Sequence, residues 1–330
     1  MAEIPKTMKG VVIEKTGGTE VLEYRTDLAV PTPQEGQVLV KNSFAGVNFI
    51  DTYFRTGFYP LPLPGIMGME GEGTIVALGG GNTYDLKVGD RVLWFGAMGG
   101  YGEYAAIPSL RVHVLPKEIP EGFGAAAAVQ GLTALTLIKE AYPVKKDEWV
   151  LVHAAAGGCG LWLCQFLKEV GANVIGTAST PEKLELAKKN GAQYLINYAE
   201  EDVVAQVKAI TGGEGVAVVF DGTGKDQFEN DLEVVARKGT VVSFGNSSGG
   251  VPPVPILRLM AKNVKLLRPT LQNYVFTRDE VENYVGQLLD FVVSGKGKVH
   301  IHKIYPLEDI ATVHTDVVSR GTTGKLLLKH

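Results

Sequence analysis

The hydrophobic rhythm of the chain changes once along its length. In the first third, apolar residues come in short β-branched or alternating runs at 9–14, 21–24, 37–44, 73–78 and 90–95. Gly17-Gly18, Pro31-x-Pro33 and a cluster of glycines between Gly65 and Gly102 punctuate them. Period-two alternation buries one face of a strand, and Gly/Pro clusters end it, so this part reads as many short strands in a barrel-like or sandwich unit.

From about Ala125 the pattern becomes an alternation of two periods. Continuous apolar runs at 149–154, 173–176, 194–197, 216–221 and 239–244 predict strands. Helical patterns at 161–170, 181–190, 202–210 and 226–236 lie between them. Strand alternating with helix over short connections predicts a parallel sheet covered on both faces. A long helix from about residue 274 and two strand runs, 303–305 and 324–328, close the chain. The expected fold class is therefore α/β, a β-rich unit plus a doubly wound parallel sheet, and 330 residues accommodate two domains.

Composition narrows the class of partner. A net charge of -4 provides no basic field for nucleic acid or acidic membranes, so nucleic-acid binding is not expected. The longest apolar run, 123–138, is broken by Gln130 and by glycines and falls short of the roughly 20 residues that span a bilayer. Met1-Ala2-Glu3-Ile4-Pro5-Lys6 lacks the apolar core of a secretory signal. Two cysteines, Cys159 and Cys164, make no disulfide framework, and the expected setting is reduced and cytoplasmic.

The strand at 149–154 runs into Ala155-x-Gly157-x-x-Gly160 and then a helix. This is the dinucleotide fingerprint with alanine in the first glycine position. The small first residue permits the tight turn, Gly157 lets backbone approach a pyrophosphate, and Gly160 lets the helix pack against the strand. An NAD enzyme usually carries an acidic residue about 20 positions further on, for the ribose hydroxyls. Here the second strand ends Gly176-Thr177-Ala178-Ser179-Thr180 with no acid. Thr180 is suited to cap the next helix, with Pro181 at its first position. Ser179 and Lys183 would then offer a hydroxyl and a positive charge to a 2′-phosphate, so NADPH is the expected cofactor. An ordinary cap beside a solvated lysine would use the same residues.

Several segments carry a family resemblance: Gly46-Val47-Asn48-Phe49-Ile50-Asp51-Thr52-Tyr53, Arg55-x-Gly57-x-Tyr59-Pro60, Gln130-Gly131-Leu132-Thr133-Ala134, Ala155-Ala156-Gly157-Gly158, Phe244-Gly245-Asn246 and Gly324-Lys325. With these, the chain resembles the medium-chain dehydrogenase/reductase superfamily and, within it, the zeta-crystallin-like NADPH:quinone oxidoreductases. Cys159 departs from the valine usual in that family's glycine loop. The resemblance implies a GroES-like catalytic domain over 1–128 and 271–330, and a Rossmann NADPH-binding domain over 129–270. It implies transfer of reducing equivalents to a quinone, with reduction of enal or enone double bonds, or an NADPH-binding RNA-interacting protein, as alternatives. A homodimer paired through Rossmann-domain edges is implied as well.

The zinc alcohol dehydrogenases of that superfamily use a cysteine and the histidine of Gly-His-Glu as metal ligands. This chain has Gly68-Met69-Glu70, its counterpart to the cysteine falls near Gly46, and the four-cysteine structural lobe is missing. Of its histidines, only His300-x-His302 shows any close spacing, which a short strand or exposed loop explains. No metal is expected.

The resemblance also implies site residues. Asn48, Asp51, Tyr53 and Tyr59 would lie near the nicotinamide and substrate, Asn48 bonding a cofactor or quinone oxygen and the two tyrosines lining the pocket. Packing of a loop before Pro60 would explain the tyrosines equally. Implied cofactor contacts include Asn48, Asp51, Thr133, Gly157, Gly158, Cys159, Gly160, Ser179, Lys183 and Tyr198. Phe244, Gly245, Ser247, Leu267, Pro269 and Arg320 complete them.

Overall fold

The structure, a computed structural model, describes residues 3–330. Contacts divide it into two compact units: the N-terminal stretch up to Val129 together with Val275–His330, and Gln130–Tyr274.

The first unit begins with β1 (Thr7–Ile13), β2 (Glu23–Ala29) and β3 (Gln37–Val47), followed by helix α1 (Phe49–Thr56). Then come β4 (Gly65–Ile66), β5 (Glu70–Leu78), β6 (Arg91–Phe95), β7 (Tyr104–Pro108) and β8 (Val112–Val114). Strand β3 organises this unit. It pairs with β5 along one edge, while its other edge meets β7 through residues 37–41. Inside the sheet, Val38, Val40, Ile75, Trp94, Ile107 and Val112 are buried against one another. At its far end β3 stops at Val47 and hands the chain to Asn48, the N-cap of α1.

Helix α2 (Phe123–Thr136) leads into the second unit, where β9 (Trp149–Val152), α3 (Gly158–Val170), β10 (Asn173–Ala178), α4 (Pro181–Lys189) and β11 (Tyr194–Asn197) alternate. After them come α5 (Val203–Ile210), β12 (Val216–Asp221), α6 (Phe228–Val234), β13 (Val235–Ser243), β14 (Lys265–Leu267) and the short α7 (Leu271–Tyr274). The six strands are all parallel, in the order β11-β10-β9-β12-β13-β14. That is the doubly wound Rossmann order. Leu151, Ile175, Ile196, Val219 and Val241 form its core with Val207 of α5 and Phe228 of α6. The β-branched side chains of Ile175, Ile196, Val219 and Val241 suit strands buried on both faces.

The chain returns to the first unit with α8 (Arg278–Val293), β15 (Ile301–Pro306), α9 (Ile310–Val318) and β16 (Lys325–Lys329). Strand β16 pairs antiparallel with β3, Leu326 opposite Val47 and Leu327 opposite Gly46. Among the described residues, no helix is long and apolar enough to cross a membrane.

Some elements differ from the sequence expectation. Tyr53 lies on α1 and not in a loop; α1 is closed by Gly57 at φ 80°, a left-handed C-cap that glycine adopts freely. Strand β9 ends at Val152 rather than 154, because Ala154 takes φ 49° to turn into the glycine loop. The helix expected over 226–236 stops at Val234, and β13 starts at Val235, drawn into the sheet opposite Val216. The expected long helix near 274 is broken ahead of Thr277, whose hydroxyl and Glu280 make a capping box for α8.

Candidate functional site

In the Rossmann unit the expected cofactor residues gather where parallel strands end, the edge at which open α/β sheets bind ligands. Gly157, Gly158, Cys159 and Gly160 follow β9; Ser179 follows β10; Tyr198 follows β11; Phe244, Gly245 and Ser247 follow β13. Leu267 is the last residue of β14, with Pro269 just beyond it, and Thr133 lies on α2.

The glycine loop is shaped by close approach. Gly157 N–H donates to Ala154 O at 2.8 Å, which closes the turn. A Cβ on Gly160 would run into Ala154 O and lie 2.8 Å from the Ala155 backbone. A Cβ on Gly158 would run into the Gln130 side chain. Helix α3 therefore starts hard against β9, and its N-cap, Gly157, has no side chain to cap the first turn. Its backbone N–H groups and dipole face the loop, the arrangement that receives phosphate. Cys159 is half-buried in that turn, whereas burial pushes the thiol of Cys164 up to about 12.

At the end of β10, the Thr180 hydroxyl accepts from Lys183 N–H at 3.3 Å, and Pro181 occupies the first helical turn. Lys183 is half-buried, and desolvation lowers its pKa. Tyr198 N–H donates to Ala178 O at 3.1 Å, tying the end of β11 to the end of β10.

Asp221 and His153, which the sequence did not single out, support these loops together with Arg268. Asp221, at the end of β12, accepts from Thr223 N–H at 2.7 Å and from Gly224 N–H. Its carbonyl accepts from Phe244 N–H at 2.8 Å. Burial, then the nearby Asp231, pushes the Asp221 carboxyl up to about 6, against the pull of His153. His153 Nε2 lies 2.8 Å from Asp231 Oδ1, and its Nδ1 lies 3.0 Å from Thr177 Oγ1. Burial alone would lower the imidazole pKa, but Asp231 and Asp221 raise it overall. Arg268 donates to the carbonyls of Ser243 and Gly245 at 2.8 and 3.0 Å, fixing the turn after β13.

The first unit brings Asn48, Asp51, Tyr53 and Tyr59 together on and around α1. Tyr53 and Tyr59 meet edge to face at 5.3 Å, and Phe58, itself 53% exposed, stacks on Tyr59 at 5.3 Å. These rings form an aromatic wall with an accessible outer face. Asp51 has no exposed surface; it accepts from Asn48 N–H at 2.8 Å and from the Tyr101 hydroxyl at 2.8 Å. Burial raises its carboxyl to about 6. Tyr101 continues to His314 Nε2 at 3.3 Å, and His314 Nδ1 lies 3.3 Å from Arg55. Arg320 is exposed beyond α9, with φ 59°.

The Asn48 side chain belongs to a second buried group. Its Nδ2 donates to Glu70 Oε1 at 2.5 Å, and its Oδ1 accepts from Lys325 Nζ at 2.8 Å. Lys325 also pairs with Glu70 Oε1, and Glu70 Oε2 accepts from Val129 N–H at 2.7 Å. Gly46 leaves room for that carboxylate: a Cβ there would overlap Glu70 and lie 2.5 Å from Ala125 O. Met69 is buried. Among the described residues no group of three or more His, Cys, Asp or Glu could hold a metal ion. His300 and His302 both face Thr323 Oγ1, at 3.1 Å each. The sequence showed Gly324-Lys325 as a matching motif, but no local pattern linked Lys325 to Asn48 across 277 positions.

Residues 34–117 match the family model described as "Alcohol dehydrogenase GroES-like domain", and residues 158–291 the model described as "Zinc-binding dehydrogenase". The chain is 42% identical to the Schizosaccharomyces pombe protein named "Probable quinone oxidoreductase", covering 96% of each. It is 41% identical to quinone oxidoreductase 1 of Escherichia coli, covering 96% of this chain and 98% of that one. The crystal structure of Escherichia coli quinone oxidoreductase complexed with NADPH superposes with a TM-score of 0.95, at 40% identity, covering 98% of this chain and all of the other.

Proposed function

The chain belongs to the quinone oxidoreductase family of the medium-chain dehydrogenase/reductase superfamily, and from this we propose that it reduces quinones with NADPH and without a metal. The observation that carries the cofactor choice is the end of β10. Ser179, the Thr180 cap and the half-buried Lys183 stand where an NAD enzyme would present a carboxylate. The cradle at Gly157, Gly158, Cys159 and Gly160 suits a pyrophosphate, because Gly157 bears no side chain and Gly160 lets α3 start close against β9 with its N–H groups facing the loop. Ser179 and Lys183 would hold the 2′-phosphate. Thr133, Tyr198, Phe244, Gly245, Ser247, Leu267, Pro269 and Arg320 would line the remaining length of the dinucleotide.

Bound NADPH supplies the hydride. The chain's own residues bind, orient and exclude water. Tyr53 and Tyr59 receive the flat face of a planar acceptor, and Asn48 donates an amide hydrogen to its oxygen. Asp51 serves the site through Asn48, holding the backbone N–H that starts α1. A quinone suits a site of this kind, because it accepts a hydride readily and delocalises the charge that arrives. The metal-free reading is supported by Gly46, where a cysteine side chain would collide with Glu70, by Met69, and by Lys325, which already meets the charge of Glu70.

A homodimer is supported by the edge position of β14 and by exposed Ile256, Leu257 and Met260 just before it. A second copy pairing β14 with β14 would cover both the open strand edge and these side chains. A reduced, cytoplasmic setting is supported by two free cysteines.

The test is an oxidation assay of NADPH and NADH with ortho-quinones, para-quinones and small enones. Fast NADPH-dependent turnover of quinones is expected; enone turnover well above quinone turnover would overturn the substrate.

A further inference from the structure

We propose that Lys325 is a positioning residue: it fixes the Asn48 amide so that one Nδ2 hydrogen is always offered to the carbonyl oxygen of the substrate. The inference rests on the reading above, in which Asn48 donates to that oxygen.

Lys325 is 1% exposed and Glu70 is fully buried. An ammonium and a carboxylate taken out of water lose several kcal/mol of solvation each, and an apolar pair of similar volume is commonly as stable. Stability alone therefore gives no reason for the pair. Its geometry does. An asparagine amide can sit in two orientations related by a half-turn, and they exchange donor for acceptor. Lys325 has only hydrogens to offer and takes Oδ1; Glu70 accepts and takes one hydrogen of Nδ2. Reversing the amide would set Nδ2 against the ammonium and Oδ1 against the carboxylate. The second Nδ2 hydrogen has no partner among the described residues and remains for a ligand.

The backbone delivers this alignment. The antiparallel register of β16 on β3, with Leu326 opposite Val47, carries Lys325 to Asn48. Gly46, bare of a side chain, lets the Glu70 carboxylate close the triangle. Without Lys325, Glu70 alone opposes the half-turn, and any fraction of the enzyme whose amide oxygen faces the substrate oxygen replaces a hydrogen bond with a repulsion at the atom that gains negative charge.

The experiment is a double-mutant cycle on the full-length protein, with Lys325→Met and Asn48→Ala singly and together. Far-ultraviolet circular dichroism checks the fold, and quenching of intrinsic fluorescence measures the NADPH Kd. Lys325→Met is expected to lower kcat/KM for a quinone by roughly 10- to 100-fold, less than the roughly 100- to 1,000-fold that follows removal of such a donor outright. The NADPH Kd should stay within about twofold, and in the Asn48→Ala background the same change should cost almost nothing further. Equal losses in both backgrounds, or an NADPH Kd that rises as much as kcat/KM falls, would overturn the proposal. If Lys325→Met leaves Glu70 as an unpaired charge and fails to fold, the charge-neutral pair Lys325→Met/Glu70→Gln is used, with the same expectations. A slow Asn48→Ala enzyme beside a fully active Lys325→Met enzyme defeats this inference alone. An Asn48→Ala enzyme as fast as wild type defeats the reading of Asn48 and the inference with it.

Discussion

His314 Nε2 lies 3.3 Å from the Tyr101 hydroxyl, in the interior of the first unit. Burial, and then Arg55, hold its imidazole down to about 3. Between that value and an ordinary histidine pKa of about 6.5, the unfolded chain binds a proton that the folded chain refuses. The stability owed to neutral His314 is thus complete above about pH 6.5 and is lost as pH falls toward 3. Asp51, raised to about 6, works in the opposite sense, since below that pH the folded state takes up a proton before the unfolded one. A comparison of variants isolates the histidine. In urea unfolding, the advantage of wild type over His314→Gln should shrink by about 2 kcal/mol between roughly pH 7.5 and pH 5. A pH-independent gap would contradict the neutral assignment.

Gly160→Ala places a methyl group where Ala154 O already lies. The Ala154–Ala155 backbone cannot yield without moving α3 away from β9. Overpacking of this kind costs about 1–3 kcal/mol, and the shift spoils the phosphate cradle as well. A drop of several degrees in Tm with at least a tenfold rise in NADPH Kd is expected. Unchanged affinity would show that the loop does not carry the pyrophosphate.

Lys183→Ala should weaken NADPH far more than NADH, because only NADPH carries the 2′-phosphate. A loss of about one to two orders of magnitude in NADPH affinity is expected from one charge-assisted contact of about 1.5–3 kcal/mol. Equal losses for the two nucleotides, measured by fluorescence titration, would remove Lys183 from the phosphate.

Leu257→Glu and Met260→Glu put charge on an exposed apolar strip beside the β14 edge. Light scattering should then report a monomer at concentrations where wild type is a dimer. A wild-type monomer, or variants that stay dimeric, would rule out pairing through this edge.

The Rossmann unit was the more legible half of the chain, for a physical reason. Its strands are buried on both faces and its helices are local, so apolar runs and caps such as Thr180-Pro181 declare themselves within a few residues. Even there, Ala236 and its neighbours were claimed by β13 through pairing with β12, which no local pattern displays. In the first unit the strands were visible, but α1 was not; its eight residues include three aromatics and two threonines, poor helix formers, and tertiary packing holds them. The site residues near the fingerprint follow from local chemistry. Lys325, Glu70, Tyr101 and His314 do not, because their roles exist only as contacts between distant strands and helices.

The order of synthesis meets this architecture unevenly. The dinucleotide-binding unit occupies one uninterrupted stretch, Gln130–Tyr274, flanked by the two segments of the other. It can therefore close on itself while the chain is still growing. Strand β3 must wait with one side of its far end open until β16 emerges, and Asn48 waits with it. A ribosome-bound chain stopped short of residue 325 would thus hold a formed nucleotide fold while the Asn48 end of β3 still lacks the strand that brings Lys325 to it.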